Sequence, residues 1–196
     1  MNRAELKRLA REQLGGGIFK NNWLMAVVLI LIVSAITTVA ANIPLLPIFL
    51  VGPLGVGSVA FFKAIVRNGD AKVERLFEGF TKDFGGTLVL GLLTTIFTFL
   101  WSLLFIIPGI VKGYAYSMAY YLKSEHEDWD WRRCLDESIK LTNGHKMELF
   151  ILDLSFIGWY FVGSLCFGVG TLWAEAYHRQ TLVNYYEELT LTRVEG

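Results

Sequence analysis

Three long stretches of this chain carry no charged residue: 21–62, 84–111 and 154–174. A helix built from any of them has no charged face to turn towards water, and each is long enough to cross a hydrocarbon core of about 30 Å, which takes about 20 helical residues. Composition agrees, since 54% of the 196 residues are apolar and 14% aromatic, too apolar for an ordinary water-soluble globule. The sequence therefore predicts a single all-α domain over 1–196, a polytopic transmembrane bundle.

Length decides how the stretches divide. The first, 42 residues, is too long for one crossing, and its middle, "NIPLLPIFLVGPLGVG", holds Pro44, Pro47, Pro53 and three glycines. These residue types punctuate helices. A hairpin is expected, with spans at about 23–41 and 49–62. The 19 residues of 23–41 exceed the apolar core of a cleavable signal.

The second stretch would reach about 42 Å as one helix and overshoot the core. Pro108-Gly109 predicts a turn, giving a third span at about 86–107 and a fourth at about 110–124. The alternative is one kinked helix, and charge chooses between them. Segments 1–22, 63–83 and 123–148 each hold five basic residues. Hairpins keep all three segments on the cytoplasmic side, as the positive-inside rule asks, whereas a kinked helix separates the last two.

In the third stretch "CFGVG" predicts another outer turn at Gly168 and Gly170. Residues 171–190 are expected to return as a sixth span or to lie on the outer surface as an amphipathic helix; Arg193 favours the return. The fold expected is thus six spans in three hairpins at about 23–62, 86–124 and 150–190. The outer turns are uncharged and the N-terminus is cytoplasmic.

The polar segments 1–22, 63–83 and 125–148 suggest amphipathic helices. Val73, Leu76, Phe77, Phe80 and Phe84 form a stripe at helical spacing, with Asp70 as N-cap. Asp130 is placed to cap a helix whose Trp131, Leu135, Ser138, Ile139 and Thr142 share one face, opposite Arg132, Arg133 and Lys140. Such helices lie along the inner leaflet or pack on the cytoplasmic ends of the spans. Gly17, Gly79 and Gly144 each stand six residues before an apolar run takes hold, either as a threefold structural repeat or by chance similarity of interfacial composition.

Known catalytic patterns are missing. His126, His145 and His178 lack metal-ligand spacing, no Gly-x-Ser-x-Gly elbow occurs, and "GPLGVG" at 52–57 follows an apolar helix rather than a strand. Cys134 and Cys166 are expected to be free thiols. Eighteen basic and eighteen acidic residues balance, so no basic surface advertises nucleic acid. No enzyme activity, metal or cofactor is expected.

Polar residues within the spans are few. Lys112 follows the expected outer turn, and Glu175 follows Gly170 by little more than one turn. The two either pair across hairpins or snorkel to the outer interface. Glu175, His178 and Arg179 stand at i, i+3 and i+4, with Gln180 and Asn184 beyond, either as an intramembrane polar cluster or as a water-facing one. Ser138, Lys140, His145 and Lys146 are candidates for inner-leaflet lipid phosphate contact, or simply surround a helix end capped by Gly144. Gly109, Gly113 and Ser117 form a small-residue stripe that admits a close neighbour: a helix of the same chain, a second copy or another membrane protein. Trp23, Trp129, Trp131 and Trp173 are expected at the interfaces, Trp101 and Trp159 in the core.

"LFIIPGIVKGYAYSMAYYL" and "ESIKLTNGHKMELFILDLSFIGW" resemble the bacterial membrane proteins known as domain of unknown function 975. The match rests on Pro108-Gly109, Ser138, Gly144, His145, Lys146, Phe150, Ser155, Phe156, Gly158 and Trp159. Thr142 and Met147 stand where methionine and tryptophan are expected, and Glu175 to Tyr177 replaces a Pro-Tyr pair. The resemblance implies a multi-span protein of the bacterial cytoplasmic membrane and brings no catalytic residues. The leading expectation is a non-enzymatic membrane protein acting through lipid or another membrane protein. A small transporter or proton-coupled carrier built on the 175–179 cluster comes second, and a lipid-modifying enzyme third.

Overall fold

The computed structural model describes residues 3–15, 21–43, 46–69, 72–104, 106–165 and 168–195. Regular structure among them is helical: α1 Arg3–Gln13, α2 Asn21–Ala40, α3 Leu46–Asn68, a 3-10 turn Val73–Phe77, α4 Glu78–Thr81, α5 Phe84–Leu104, α6 Ile106–Tyr116, α7 Ala119–Glu125, α8 Trp131–Leu141, α9 Lys146–Leu154, α10 Ile157–Leu165 and α11 Val169–Glu195. Four stretches among the described residues are long and apolar enough to cross a membrane: Asn22–Ala40, Leu46–Asn68, Phe84–Leu103 and Lys146–Leu165. The fold class is all-α with four candidate spans. The return legs differ from these four: α6 has 11 residues, and α11, with 27, carries several charges.

The chain divides into two compact units, one of residues 1–36, 61–73 and 151–196, the other of 37–60 and 74–150. In the second unit α5 and α6 form an antiparallel hairpin. Gly109 lies against Ser102, Gly113 is nearest to Thr98, and the Phe97 and Tyr116 rings are 6.4 Å apart. The break between the helices does not fall at Pro108-Gly109: α5 ends at Leu104 and α6 begins at Ile106. Phe105, between the helices, is outside the described residues, and Pro108 and Gly109 belong to the first turn of α6. A proline is tolerated there because the first helical N–H groups have no intrahelical partner. The small-residue stripe thus serves the hairpin itself at Gly109, where a Cβ would meet the Ser102 Oγ at 2.3 Å.

The expected turn region at 42–57 is mostly helix. The chain bends at 41–43, Pro44 and Leu45 are outside the described residues, and α3 then runs unbroken with Pro53 inside it. Its glycines are packing points rather than breaks. A Cβ on Gly52 would lie 1.9 Å from the Thr87 carbonyl oxygen, one on Gly57 1.9 Å from that of Leu76, and one on Gly79 2.1 Å from that of Pro53. Only hydrogen side chains allow backbones this close.

The α8 segment packs on its neighbours. Asp130 caps it, accepting from the Arg133 N–H at 2.9 Å. Its inward face joins Leu90, Ala115, Tyr116 and Ala119 through Cys134 and Leu135, with Trp129, Trp131 and Ile139 at the margin. Gly144, at φ +84°, turns the chain after α8, as a C-terminal glycine does. Gly79 and Gly144 therefore do unlike jobs, which argues against equivalent repeats; Gly17 and Asp70 are outside the described residues.

In the first unit α10 and α11 form a second antiparallel hairpin. A Cβ on Gly163 would lie 2.7 Å from the Gly170 carbonyl carbon, and Phe156 and Trp159 meet the Tyr177 ring. Gly168, at φ +78°, opens α11, while Cys166 and Phe167 are outside the described residues. Leu6 and Ala10 of α1 are buried, and Asn184 and Gln180 of α11 reach the Leu6 carbonyl and Gln13. Asn22 ties the start of α2 to the Gln13 carbonyl, and Arg67 of α3 pairs with Glu187 at 3.0 Å.

Trp129, Trp131 and Trp173 are half-buried, and the two tryptophans expected in the core are not there. Trp23 is buried, 6.2 Å from the Tyr177 ring. Trp101 and Trp159 are exposed on the protein surface. A span-length helix turns apolar rings outward towards lipid as readily as inward, so depth along a span does not predict burial in protein.

Candidate functional site

Because α11 doubles back along α10, residues spaced three and four apart on α11 come to face Tyr160 on α10 and Asp153 on α9. The Tyr160 hydroxyl donates to the Glu175 Oε2 at 2.5 Å and lies 3.1 Å from the His178 Nδ1. The other ring nitrogen of His178 is 2.8 Å from the Asp153 Oδ1. Arg179 donates through Nε to the Glu175 Oε1 at 2.6 Å. Asp153, His178, Tyr160, Glu175 and Arg179 are therefore one continuous polar chain. Phe156 covers the imidazole face at 4.6 Å between centroids.

One end of this chain borders a cavity of about 250 Å³. Leu29, Ile30, Val33 and Ser34 of α2 wall it on one side; Tyr160, Thr171, Glu175 and Arg179 face them. Apolar walls with a few convergent polar groups are the usual make-up of a small-molecule site. The volume suits a ligand of a few heavy atoms.

Of the residues singled out in the sequence, Glu175, His178 and Arg179 are brought together as the i, i+3, i+4 spacing implies. Lys112 belongs to the other unit, where its ammonium lies 5.0 Å from the centre of the Trp101 ring. Each finds a partner within its own unit. Ser138 is no lipid contact: it is fully buried and donates to the Ala115 carbonyl at 2.8 Å. Lys140 is exposed beside Glu137, and His145 lies 3.4 Å from Glu148. Lys146 opens α9. Gly144, at φ +84°, ends α8, and Lys140, His145 and Lys146 lie around that end.

Asp153 and Tyr160 did not stand out in the sequence. They stand on successive helices, α9 and α10, either side of the turn at Ser155 and Phe156, and only the fold-back of α11 brings His178 to both. A second group also escaped notice. Lys123 is 2% exposed, yet its ammonium is fully occupied by the Asp83 carboxylate and by the carbonyls of Glu127 and Trp129 at 2.9 and 2.7 Å. The Lys123 hydrogen bond holds the Asp83 carboxyl below the usual carboxylate range. Burial pushes the Cys134 thiol up to about 11, which keeps it protonated.

Among the described residues no group of three or more His, Cys, Asp or Glu is arranged to hold a metal ion. In comparisons with known proteins, the model of a family described as protein of unknown function (DUF975) matches residues 1–112 and 106–193. No curated protein and no solved structure matches the chain.

Proposed function

The chain belongs to this family of unknown function, DUF975, and from that premise we propose that it is an integral membrane protein of six crossings whose third hairpin holds a small zwitterionic solute for passage across the bilayer. One observation carries the reading. A carboxylate and a guanidinium, Glu175 and Arg179, stand together on the wall of a 250 Å³ cavity beside a span-length apolar helix. Ionisable groups within spans are rare, and solute and ion pathways are among the places where they occur. Arg179 suits a carboxylate and Glu175 an ammonium; the Ser34 and Thr171 hydroxyls supply further hydrogen bonds.

The test is uptake of labelled amino acids into vesicles containing the purified protein. Uptake above protein-free vesicles, abolished by Glu175→Gln with Arg179→Gln while the double variant stays folded, is the expected result. Absent uptake, or uptake indifferent to both changes, overturns the carrier reading.

The six crossings and the cytoplasmic N-terminus rest on the charge distribution together with the two antiparallel hairpins. Membrane-impermeant thiol labelling tests them in a Cys166→Ser background, which leaves only the buried Cys134. New cysteines go at the exposed positions Ile107, Val169 and Leu191. Labelling of the first two from outside, and of the third only after permeabilisation, is expected; outside labelling of Leu191 removes the sixth crossing.

A lipid-contact role is favoured by a separate observation. Phe77, Phe80 and Phe84 form a ring ladder with centroids 6.4 and 6.2 Å apart, and Phe77 and Phe84 are exposed beside Lys82. Aromatic rings flanked by cations suit the headgroup layer of the inner leaflet.

A further inference from the structure

We infer that the polar chain on the third hairpin binds one exchangeable proton, stored among Asp153, His178 and Glu175 and passed between them through the Tyr160 hydroxyl. The inference concerns the same site as the carrier reading and rests on that reading for its use, but the proton count stands on geometry alone.

Three heavy-atom contacts make up the chain: Asp153 to His178 at 2.8 Å, His178 to Tyr160 at 3.1 Å, and Tyr160 to Glu175 at 2.5 Å. Each needs a hydrogen between its two atoms. An ionised carboxylate only accepts, a phenol has one hydrogen to give, and a neutral imidazole has one. With both carboxylates ionised and the imidazole neutral, two hydrogens serve three contacts. The filled chain holds one more.

The extra proton has three placements of equal bonding. With His178 as imidazolium, Nε2–H donates to Asp153, Nδ1–H to the Tyr160 oxygen, and the phenol to Glu175. With Glu175 protonated, it donates to the Tyr160 oxygen while the phenol donates to the His178 Nδ1. With Asp153 protonated, it donates to the His178 Nε2 and the rest of the chain follows the first pattern. Passing from the first to the second moves a proton from Nδ1 to the phenol oxygen as the phenol proton moves to Oε2. No hydrogen is gained or lost. Tyr160 is thus a bridge, and Glu175, at the cavity wall, is the end that meets a solute.

Positive charge borders the chain on the α1 side, so the proton count rests on the hydrogen bonds and not on net charge. On α1, Lys7 lies 4.1 Å from the Phe156 ring centre and Arg11 lies over Trp159 and Tyr177. The helices α2 and α10 carry no charged side chain. On α3, Lys63 faces Tyr186 and Arg67 faces Glu187, further along α11.

The experiment is nitrogen-15 NMR of histidine-labelled protein in nanodiscs, with infrared spectra of the same samples and His178→Gln to assign the signals. At neutral pH the expected result is either a doubly protonated His178 or the carbonyl band of a protonated carboxyl lost in Glu175→Gln or Asp153→Asn. Tyr160→Phe keeps the ring in place, removes the bridge, and is expected to uncouple the His178 signal from Glu175→Gln. A neutral His178 with no protonated carboxyl overturns the inference, as does a His178 signal in Tyr160→Phe that still responds to Glu175→Gln. The vesicle assay is read separately: a retained proton without uptake sinks the carrier alone, and uptake without the proton sinks this inference alone.

Discussion

Gly52 on α3 and Gly91 on α5 meet backbone to backbone: a Cβ built on Gly91 would lie 2.4 Å from the Gly52 Cα. No side chain separates the two helices at that point. Gly91→Ala is therefore expected to force them apart and to lower stability by about 1–3 kcal/mol, the usual cost of overpacking. Gly113→Ala is the control, since its Cβ would meet nothing closer than 3.9 Å and alanine favours helix by about 1 kcal/mol. Thermal unfolding in detergent measures both; equal melting temperatures for the two variants would contradict the close approach.

Removing the Lys123 ammonium takes one donor from the Asp83 carboxylate, which keeps the Gly86 N–H, and one from each of the carbonyls of Glu127 and Trp129. Lys123→Met is expected to lower stability by about 1–3 kcal/mol, the usual cost of leaving buried hydrogen-bonding groups unsatisfied, since Asp83 itself is partly open to solvent. Asp83 has its folded pKa lowered, so its contribution is present above the unfolded value of about 4 and disappears as pH falls through the folded value. Acid titration of stability checks the sign. The wild type should lose stability below about pH 4, and Asp83→Asn should show less of that loss.

Cys134 is fully buried with its thiol pushed up to about 11. In a Cys166→Ser background the folded protein is expected to resist maleimide at neutral pH and to react once denatured. Rapid labelling of the native protein would mean that α8 does not pack on α5 and α6 as described.

Gly163 touches the Gly170 backbone three residues after Tyr160. Gly163→Ala should push α11 away from α10, cost about 1–3 kcal/mol, and loosen the Tyr160 contact to Glu175. The readout is the tyrosine and carboxylate infrared signature beside the melting temperature; a lower melting temperature with an unchanged signature would show that the hairpin and the polar chain are independent.

Much of the architecture was legible because it follows from quantities a sequence displays. Charge-free lengths gave the apolar helices, basic-residue counts favoured a hairpin over a kink, and Asp130 announced its helix. The position of the α5 to α6 turn was not legible. Pro108 signals an interruption, but proline is as much at home in the first turn after a break as in the break itself. The glycines of α3 misled for a related reason: flexibility and close packing call for the same residue, and only the neighbour at Thr87 or Leu76 tells them apart. At the polar site the 175, 178, 179 spacing was visible, whereas Asp153 and Tyr160 join it through a fold-back whose register no local pattern encodes.

Under the proposed topology, Lys123 also separates what the chain displays during insertion from what it displays once folded. It is one of five basic residues in 123–148, and in an emerging polypeptide its charge is open to whatever reads loop charge and sets orientation. In the finished protein that charge is hidden and matched by Asp83. On that proposal the same ammonium steers the hairpin into place first and fastens it afterwards, so a substitution that spares orientation, such as Lys123→Arg, still tests the fastening.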